Sequence, residues 1–294
     1  MYKRNSASKI ELSSYDDLFG NFNMSSDNTE QIQYIPISEL HSFKGHPFKV
    51  LDDDKMSETV ESINKYGVLL PGIVRSRSEG GFEIISGHRR KRACELAGKN
   101  TMPVFVHDYT DDEATVIMVD SNIQREDILP SEKAKAYKMK FDAIKHQGSK
   151  EGKHSLNEIG EVAGESGKTV QRYIWLSRLS DELLEMVDKK KLGIVQGIDI
   201  SFLSEKMQQC VLDVINRKNT NMSVVQSEKI KEYAKNGELT PALVEKILSS
   251  ITHKERKVII KAERINEYFS EEYSRDEIVE VILRLLEQWK KGDA

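Results

Sequence analysis

The sequence predicts an α+β N-terminal domain, then an all-α domain that contains a helix-turn-helix, and finally a C-terminal helical element. Up to about residue 127, short strand-like runs alternate with segments of helical periodicity. From Pro130 onward, apolar residues recur at helical spacing and no convincing strand is present. Only 6 of the 294 residues are proline and 31% are charged, which is typical of a largely folded, helix-rich chain.

The composition excludes several classes of protein. The chain has 44 Lys+Arg and 48 Asp+Glu, a formal net charge of −4, which argues against a uniformly basic coat but allows local basic patches. No run approaches the roughly 18 apolar residues of a membrane-spanning helix, and no signal peptide is visible. Cys94 and Cys210 cannot build a disulfide framework or a four-ligand zinc site. We therefore expect a reduced, cytoplasmic setting without membrane contact.

The chain divides into four predicted segments. Residues 1–33 are rich in turn-forming polar residues and predict a flexible tail, although the apolar run at 15–22 could dock as a helical turn. An α+β domain covers 34–127, a helix-turn-helix domain 128–238, and a helical region 239–294.

The N-terminal elements follow from local patterns. Tyr34–Ile37 predicts an edge strand, because Pro36 donates no ladder hydrogen bond. A helix from about Asp54 to Tyr66 ends at Gly67. The further predicted elements are strands at 73–75, 82–85 and 103–106, a helix at 86–97 that Ser86 caps, and a helix at 111–124.

The remaining segments are all predicted to be helical. A polar linker at 148–154 precedes the predicted helix-turn-helix. The terminal segment places apolar side chains at helical spacing, so it either forms a dimer element or packs into a local core. The predicted helices are 131–145, 155–164, 168–178, 181–190, 204–217, 223–235, 241–250, 254–269 and 274–291, and the candidate dimer residues are Tyr268, Phe269, Leu285, Leu286 and Trp289.

A basic helix start follows the second predicted strand. Helix N-termini favour negative charge, yet here four cations follow a glycine, so a bound phosphate would resolve the conflict. The alternative is a solvated basic face with Ala93, Leu96 and Ala97 packed inward. The candidate anion-binding residues are Gly87, His88, Arg89, Arg90, Lys91 and Arg92.

A polar cluster ends the helix predicted at 111–124. Its amide oxygens and guanidinium could hold a metal-bound phosphate, although polar helix ends are common and this signal is weak alone. The cluster contains Ser121, Asn122, Gln124, Arg125 and Glu126.

Residues 155–174 carry a helix-turn-helix signature. Ser155 and Glu158 form a capping box, Gly160 permits close helix approach, Gly164 suits the turn, and Ser166 caps the second helix. Val170 and Ile174 point inward, which leaves side chains outward that could read a major groove. An ordinary helical hairpin with a polar face is the alternative. The candidate DNA-binding residues are Ser166, Lys168, Thr169, Gln171, Arg172 and Tyr173.

Taken in order, these pieces resemble the ParB-type (ParB/RepB) partition protein family over roughly residues 34–235. The family's first box corresponds to Gly67–Arg75, its arginine box to Gly87–Ala93, and its third box to Ser121–Arg125. The Gly-His-Arg-Arg variant of the arginine box resembles a plasmid or mobile-element branch.

The resemblance implies a CTP-gated DNA clamp that binds a centromere-like palindrome as a homodimer and works with a ParA-type Walker ATPase. It assigns phosphate contacts to the arginine box, Mg²⁺ to Asn122, and the lining of the nucleotide site to Gln124 and Arg125. It also implies a cytoplasmic, nucleoid-associated location.

Three departures from the family pattern put hydrolysis in doubt. His88 and Ser121 replace glutamates and Leu70 replaces a frequent glutamine, so we expect nucleotide binding to survive better than turnover. His88 either binds phosphate, more strongly as an imidazolium, or is only a helix-start residue. Whether the chain is an enzyme stays open. If it is one, the resemblance implies a weak CTPase.

Two other functions fit the same sequence. One is a helix-turn-helix regulator without a nucleotide switch. The other is a phosphotransferase of the wider ParB/sulfiredoxin-like fold, although Cys94 is better explained as a small core residue than as a reactive thiol.

Overall fold

The structure is a computed structural model that describes residues 31–125, 127–146, 152–250, 262–266, 268–270 and 273–291. The chain divides into two compact units, Met1–Ser250 and Ile251–Ala294. The boundaries drawn from the sequence at 33, 127 and 238 stay predictions.

The first unit begins with a five-stranded mixed sheet. Strand order is β1-β5-β3-β4-β2, with β1–β5 and β3–β4 antiparallel and β3–β5 and β2–β4 parallel. Pro36 lies on the edge strand β1, as predicted. The strands are β1 (Gln33–Pro36), β2 (Leu40–Ser42), β3 (Gly72–Ser76), β4 (Phe82–Ser86) and β5 (Thr101–His107).

Neither β2 nor the 3₁₀ turn Ile37–Glu39 before it was predicted from the sequence. A strand of three residues is too short to show an alternating pattern. It forms because β4 supplies a parallel partner, with Leu40 opposite Phe82.

Three helices pack on the sheet. The side chain of Asp53 accepts the Met56 amide at 2.8 Å and starts α1 (Asp54–Tyr66), which ends at Gly67 as predicted. Helix α2 (His88–Leu96) begins after Gly87, so the predicted Ser86 cap is wrong: Ser86 closes β4. Helix α3 (Asp111–Ile123) starts with a capping box formed by Thr110 and Glu113.

Helices make up the regular structure that is described from 130 onward, as predicted. The sequence did not predict α8, which is only seven residues long and contains Gly197, where an added Cβ would lie 2.8 Å from Leu176 Cδ1. The helices of the first unit are α4 (Pro130–His146), α5 (Gly152–Glu161), α6 (Gly167–Leu176), α7 (Asp181–Asp188), α8 (Ile194–Ile200), α9 (Glu205–Lys218), α10 (Val224–Lys235) and α11 (Pro241–Ser249).

One hydrophobic core joins the sheet to the helix-turn-helix. It contains Ile85 from β4, Met118 from α3, Tyr137 from α4, and Ile159 and Val170 from α5 and α6, all fully buried. The sheet domain and the helix-turn-helix therefore share side-chain packing. A second core lies between the sheet, α1 and α2, and a third holds α6 to α11 together.

A buried ion pair crosses the shared layer. Lys140 of α4 is fully buried, and its Nζ lies 2.5 Å from Oδ1 of Asp120 in α3. Burial raises the pKa of Asp120, while Lys140 opposes that rise.

The second unit contains α12 (Ala262–Ile265) and α13 (Arg275–Lys291). The helix predicted at 274–291 is confirmed to within one residue, whereas much of the one predicted at 254–269 lies outside the described residues. Helix α13 leaves Leu285, Leu286 and Trp289 more than half exposed. Among the described helices, none has the length and apolar character that crossing a membrane requires.

Candidate functional site

A cleft of about 160 Å³ opens where β4 meets α2. It is smaller than the roughly 300–1,000 Å³ of complete ligand pockets, so it suits one part of a ligand. None of the described residues in its lining is acidic. Those residues are His46, Val50, Leu70, Ser86, Gly87, His88, Arg89, Arg90, Ser121, Asn122 and Arg125.

Gly87 shapes the start of α2. Its φ is +115°, and an added Cβ would lie 3.2 Å from Met102 Cε and 3.3 Å from Gly72 Cα. The left-handed conformation and this close approach both require glycine. The first turn of α2 contains no acidic residue, so no side chain of that turn compensates the positive end of the helix dipole beside the cleft.

Two guanidinium groups at the start of α2 are fixed by neighbouring loops. Arg90 Nη1 donates to the carbonyls of Leu70 at 2.6 Å and Pro71 at 2.5 Å. Arg89 Nη2 lies 3.1 Å from the Asp53 carboxylate, whose pKa this hydrogen bond lowers. Helix starts that present several donors in this way are suited to phosphate.

Arg92 does not line the cleft. It donates to Asp52 at 2.6 Å and to Glu95 at 3.2 Å, and these carboxylates raise its pKa. Continuing along α2 carries this side chain away from the cleft and toward the loop before α1. Its predicted phosphate contact therefore has no support in this arrangement.

His88 stacks on a second histidine. The ring centroids of His88 and His46 are 3.8 Å apart, and His88 Nε2 accepts the Phe43 amide at 3.3 Å. Burial, followed by His46, Lys91 and Arg90, lowers the pKa of His88 to about 3. The lowered pKa favours a neutral His88 ring near pH 7, and the strengthening of the anion site by an imidazolium at this position stays a prediction.

Asn122 and Arg125 of the third box line the cleft, whereas Gln124 contacts the turn of the helix-turn-helix. Asn122 Nδ2 donates to the Met118 carbonyl at 2.9 Å, so Oδ1 is the amide atom left for a metal. Gln124 does not line the cleft, because its Nε2 donates to the Val162 carbonyl at 2.9 Å in the turn of the helix-turn-helix. Arg125 is in the lining. Glu126 lies outside the described residues.

The described residues hold no group of three or more His, Cys, Asp or Glu side chains suited to a metal ion. Asn122 Oδ1 and the Ser121 hydroxyl are neutral oxygens, which fit Mg²⁺ only when phosphate oxygens supply most of its ligands.

The helix-turn-helix is formed by α5, a turn and α6. Gly164 has a φ of +65°, and a Cβ on Gly160 would lie 2.2 Å from the Glu165 carbonyl oxygen, so both glycines are needed there. Ser166 Oγ accepts the Thr169 amide at 3.2 Å and caps α6 as predicted. The Ser155 capping box is wrong, because α5 begins three residues earlier at Gly152.

The predicted reading face of α6 is only partly exposed. Lys168, Arg172 and Ser166 are exposed, while Thr169 and Gln171 are half-buried. Tyr173 does not point outward. It is half-buried between two cores, with its ring centroid 5.9 Å from that of Tyr137.

Sequence reasoning missed His46 and Val50 as lining residues. They lie in the irregular segment before α1, where no periodicity or charge pattern marks them. The His46-Pro47 pair alone carries no recognisable chemistry.

The fold combines an α/β sheet domain, which carries a cleft lined by arginines, with a helical part that packs on it through a shared core. Residues 22–123 match the family model of the ParB N-terminal domain.

Curated relatives match more of the chain. A probable chromosome 1-partitioning protein ParB of Deinococcus radiodurans is 34% identical over 165 residues, 55% of this chain and 53% of that protein. A nucleoid occlusion protein of Halalkalibacterium halodurans is 25% identical over 212 residues, 71% of each chain. Stage 0 sporulation protein J of Bacillus subtilis is 29% identical over 63% of this chain and 62% of that protein. The chain thus spans about half the length of the Deinococcus relative.

Two solved structures of C-terminally truncated ParB from Caulobacter crescentus are also similar. The complex with the centromeric parS site has a TM-score of 0.42 and 22% identity, covering 74% of this chain and 98% of that one. The complex with CTP-γ-S has a TM-score of 0.31 and 24% identity, covering 61% and 97%.

Proposed function

We propose that this chain is a sequence-specific DNA-binding partition protein that acts as a CTP-gated clamp on a centromere-like palindromic site. The observation that carries the proposal is the acid-free cleft of Arg89, Arg90 and Arg125 at the glycine-led start of α2. That cleft belongs to a ParB N-terminal domain and is packed through one core on a helix-turn-helix.

The cleft would hold the phosphates of CTP. The amides at Gly87 and His88, together with Arg89, Arg90 and Arg125, donate to phosphate oxygens. Bound Mg²⁺ would neutralise charge on the triphosphate, and the Asn122 oxygen is the group that this chain offers it.

Gln124 links the cleft to the DNA-binding part. It follows Asn122 by two residues and its side chain holds the Val162 carbonyl in the turn before α6. A ligand that draws Asn122 and Arg125 inward would shift the end of α3, and this hydrogen bond passes that shift to the turn. The nucleotide would gate the position of α6 by this route.

The DNA contacts belong to the exposed part of α6. Lys168, Thr169, Gln171 and Arg172 offer hydrogen bonds to base edges or phosphates, and Ser166 lies at the helix start.

A palindromic site requires a homodimer, because two-fold DNA sites mirror protein symmetry. The exposed apolar stripe of α13 is our candidate dimer element. A ParA-type Walker ATPase would be the partner, with the protein in the cytoplasm on the nucleoid.

We expect the protein to retain nucleotide binding but to hydrolyse CTP slowly, because the neutral His88 and Ser121 stand where the family has carboxylates. We expect slow phosphate release by the unmodified protein and faster release by Ser121→Glu, measured with saturating CTP and DNA. Turnover typical of an efficient NTPase in the unmodified protein would contradict this view.

The nucleotide site is tested with Arg90→Ala and CTP calorimetry. We expect at least a tenfold loss of CTP affinity, since one charge-assisted phosphate contact contributes about 1.5–3 kcal/mol. Arg77→Ala is the matched control, because Arg77 pairs with Glu79 on an exposed turn outside the cleft. Equal affinities of the two variants would refute the assignment.

The clamp is tested by genome-wide occupancy with and without the Arg90→Ala change. Broad spreading around one palindrome that collapses to a narrow peak in the variant supports a sliding clamp. Isolated peaks that do not respond to the change would favour a regulator without a nucleotide switch.

Arg172→Ala tests the reading face. Binding to the identified site should weaken by about 1–3 kcal/mol if Arg172 reaches a base, or lose about one unit of salt slope if it meets a phosphate. Lys99→Ala removes an exposed cation from the turn after α2 and should change neither quantity.

A second candidate role is nucleoid occlusion. The Halalkalibacterium relative, which carries that name, aligns with a larger share of this chain than the Deinococcus partition protein does. Many dispersed binding sites would favour this role, whereas one origin- or plasmid-proximal cluster would favour partition. The plasmid or mobile-element branch is proposed on the Gly-His-Arg-Arg variant alone.

A further inference from the structure

His46 lines the cleft and carries a buried, unpartnered ring nitrogen. Its Nδ1 lies 2.8 Å from the Phe48 carbonyl, which can only accept, so Nδ1 carries the hydrogen and Nε2 carries a lone pair. Within the part of the chain that the structure describes, buried Nε2 has no hydrogen-bond partner. Such an orphaned acceptor is unfavourable to bury and calls for a ligand to explain it.

Among the described residues, the charged side chains that act on the pKa of His46 and of the adjacent His88 are cations. On α2, the stacked His88 ring is backed by Arg90 and Lys91, and Arg125 approaches from the end of α3. Burial first, and Arg125 in addition, lower the pKa of His46, so its ring is neutral when the cleft holds no anion.

The nearby carboxylates are engaged elsewhere. Glu83 accepts the Lys44 amide at 2.9 Å and binds Arg75, and Glu132 accepts the Lys49 amide at 2.8 Å. They fix the backbone on either side of His46 and do not bond to its ring.

We propose that His46 takes up a proton when a phosphate group enters the cleft and donates the new Nε2–H to it, so that anion binding here is proton-coupled. The inference rests on the proposed nucleotide function. A lone pair facing a phosphate oxygen is repulsive, whereas an imidazolium N–H makes a charge-assisted hydrogen bond. The Phe48 carbonyl already holds Nδ1–H, so protonation requires no rotation of the ring.

His88 cannot take this role. Its Nε2 accepts the Phe43 amide, and a proton there would break that bond and leave the amide unpaired. Two stacked rings also repel each other if both are charged, so only one titrates. His46 is thus the proton acceptor and His88 the neutral partner that supports it.

The sign of the pH dependence follows. In the empty cleft the pKa of His46 lies below its ordinary value, and a bound anion raises it. Between these two values binding takes up a proton, so affinity increases as pH falls, by up to about tenfold per pH unit. Above both values the ring stays neutral and contributes no uptake.

The test measures CTP binding by calorimetry in two buffers of different ionisation enthalpy, from about pH 6 to 8. The proteins are the unmodified chain, His46→Gln, and the control His41→Gln, which changes an exposed histidine outside the cleft. We expect the unmodified chain and the control to take up about one proton more than His46→Gln near the lower pH. The terminal phosphate of CTP titrates in all three cases, so the difference isolates His46.

Equal proton numbers in all three proteins would overturn the inference while leaving CTP binding intact. Affinity that falls on acidification only when His46 is present would also overturn it, because Nε2 would then accept a hydrogen from the ligand. Inorganic tripolyphosphate separates the two claims: its proton-coupled binding without CTP binding would refute the nucleotide function alone. Failure of both ligands to bind refutes both claims.

A second measurement does not depend on the folding of a variant. The NMR titration of the His46 Cε1–H resonance in the unmodified chain should move to higher pH when CTP is added. An unchanged midpoint under saturating CTP would refute proton uptake.

Discussion

At the scale of single residues, contacts within the protein already engage the arginines of the cleft and compete with an incoming ligand. Arg89 is bound to the Asp53 carboxylate, and Arg90 is bound to the Leu70 and Pro71 carbonyls. A carbonyl only orients a guanidinium, whereas a carboxylate neutralises it. An incoming phosphate must therefore displace Asp53 from Arg89.

Asp53→Asn should raise the CTP affinity by about two- to fivefold, because the exposed Asp53 carboxylate no longer competes for Arg89. Asparagine still accepts the Met56 amide, so the start of α1 is preserved. Calorimetry beside Asp52→Asn provides the comparison, because Asp52 pairs with Arg92 outside the cleft. Equal gains in both variants would indicate only a general charge effect.

At the scale of elements, α6 has two faces with different tasks. Val170 and Ile174 are buried in the shared core, and Tyr173 contacts both that core and the helical core beyond it. Between Lys168 and Arg172, the side chains outside the core are the part of α6 that is left for a ligand. Packing on both sides thus sets the rotation of α6 about its own axis and therefore which of its side chains stay exposed.

Tyr173→Ala should lower the free energy of unfolding by about 2–4 kcal/mol, because it leaves a cavity between the two cores. Gln171→Ala, two residues earlier and half-buried, should change stability by less than about 0.5 kcal/mol yet weaken DNA binding. Urea unfolding and DNA titration of both variants measure the two effects. A stable Tyr173→Ala protein that binds DNA poorly would return Tyr173 to the reading face.

At the scale of the whole first unit, α3 and α4 form the layer through which the cleft and the helix-turn-helix are connected. The pair Lys140–Asp120 lies in this layer with Lys140 fully buried. Removing one partner of a buried ion pair leaves the other charge uncompensated, which costs more than the pair contributes.

Lys140→Met should therefore destabilise the fold by about 3–5 kcal/mol near pH 7. Without Lys140, burial raises the pKa of Asp120 further, so the folded state binds that proton more tightly than the unfolded chain. The loss of stability in Lys140→Met should consequently become smaller as pH falls below 7. Adding Asp120→Asn to that variant should restore part of the lost stability. Lys138→Met on the same helix removes only an exposed pair with Asp142 and should cost about 0–1 kcal/mol. A pH-independent deficit in urea unfolding would contradict this account.

The sequence by itself determined what depends on neighbours along the chain: the periodicity of most helices, the turn glycines, the Ser166 cap and the basic start of α2. The tertiary structure decided what depends on how elements meet. It turned Arg92 toward Asp52, packed Tyr173 between two cores, and stacked His46 on His88. These outcomes depend on helix rotation and on contacts between residues far apart in sequence. Local patterns do not encode such contacts, so the sequence located the candidate anion site but only the fold selected the residues that line the cleft.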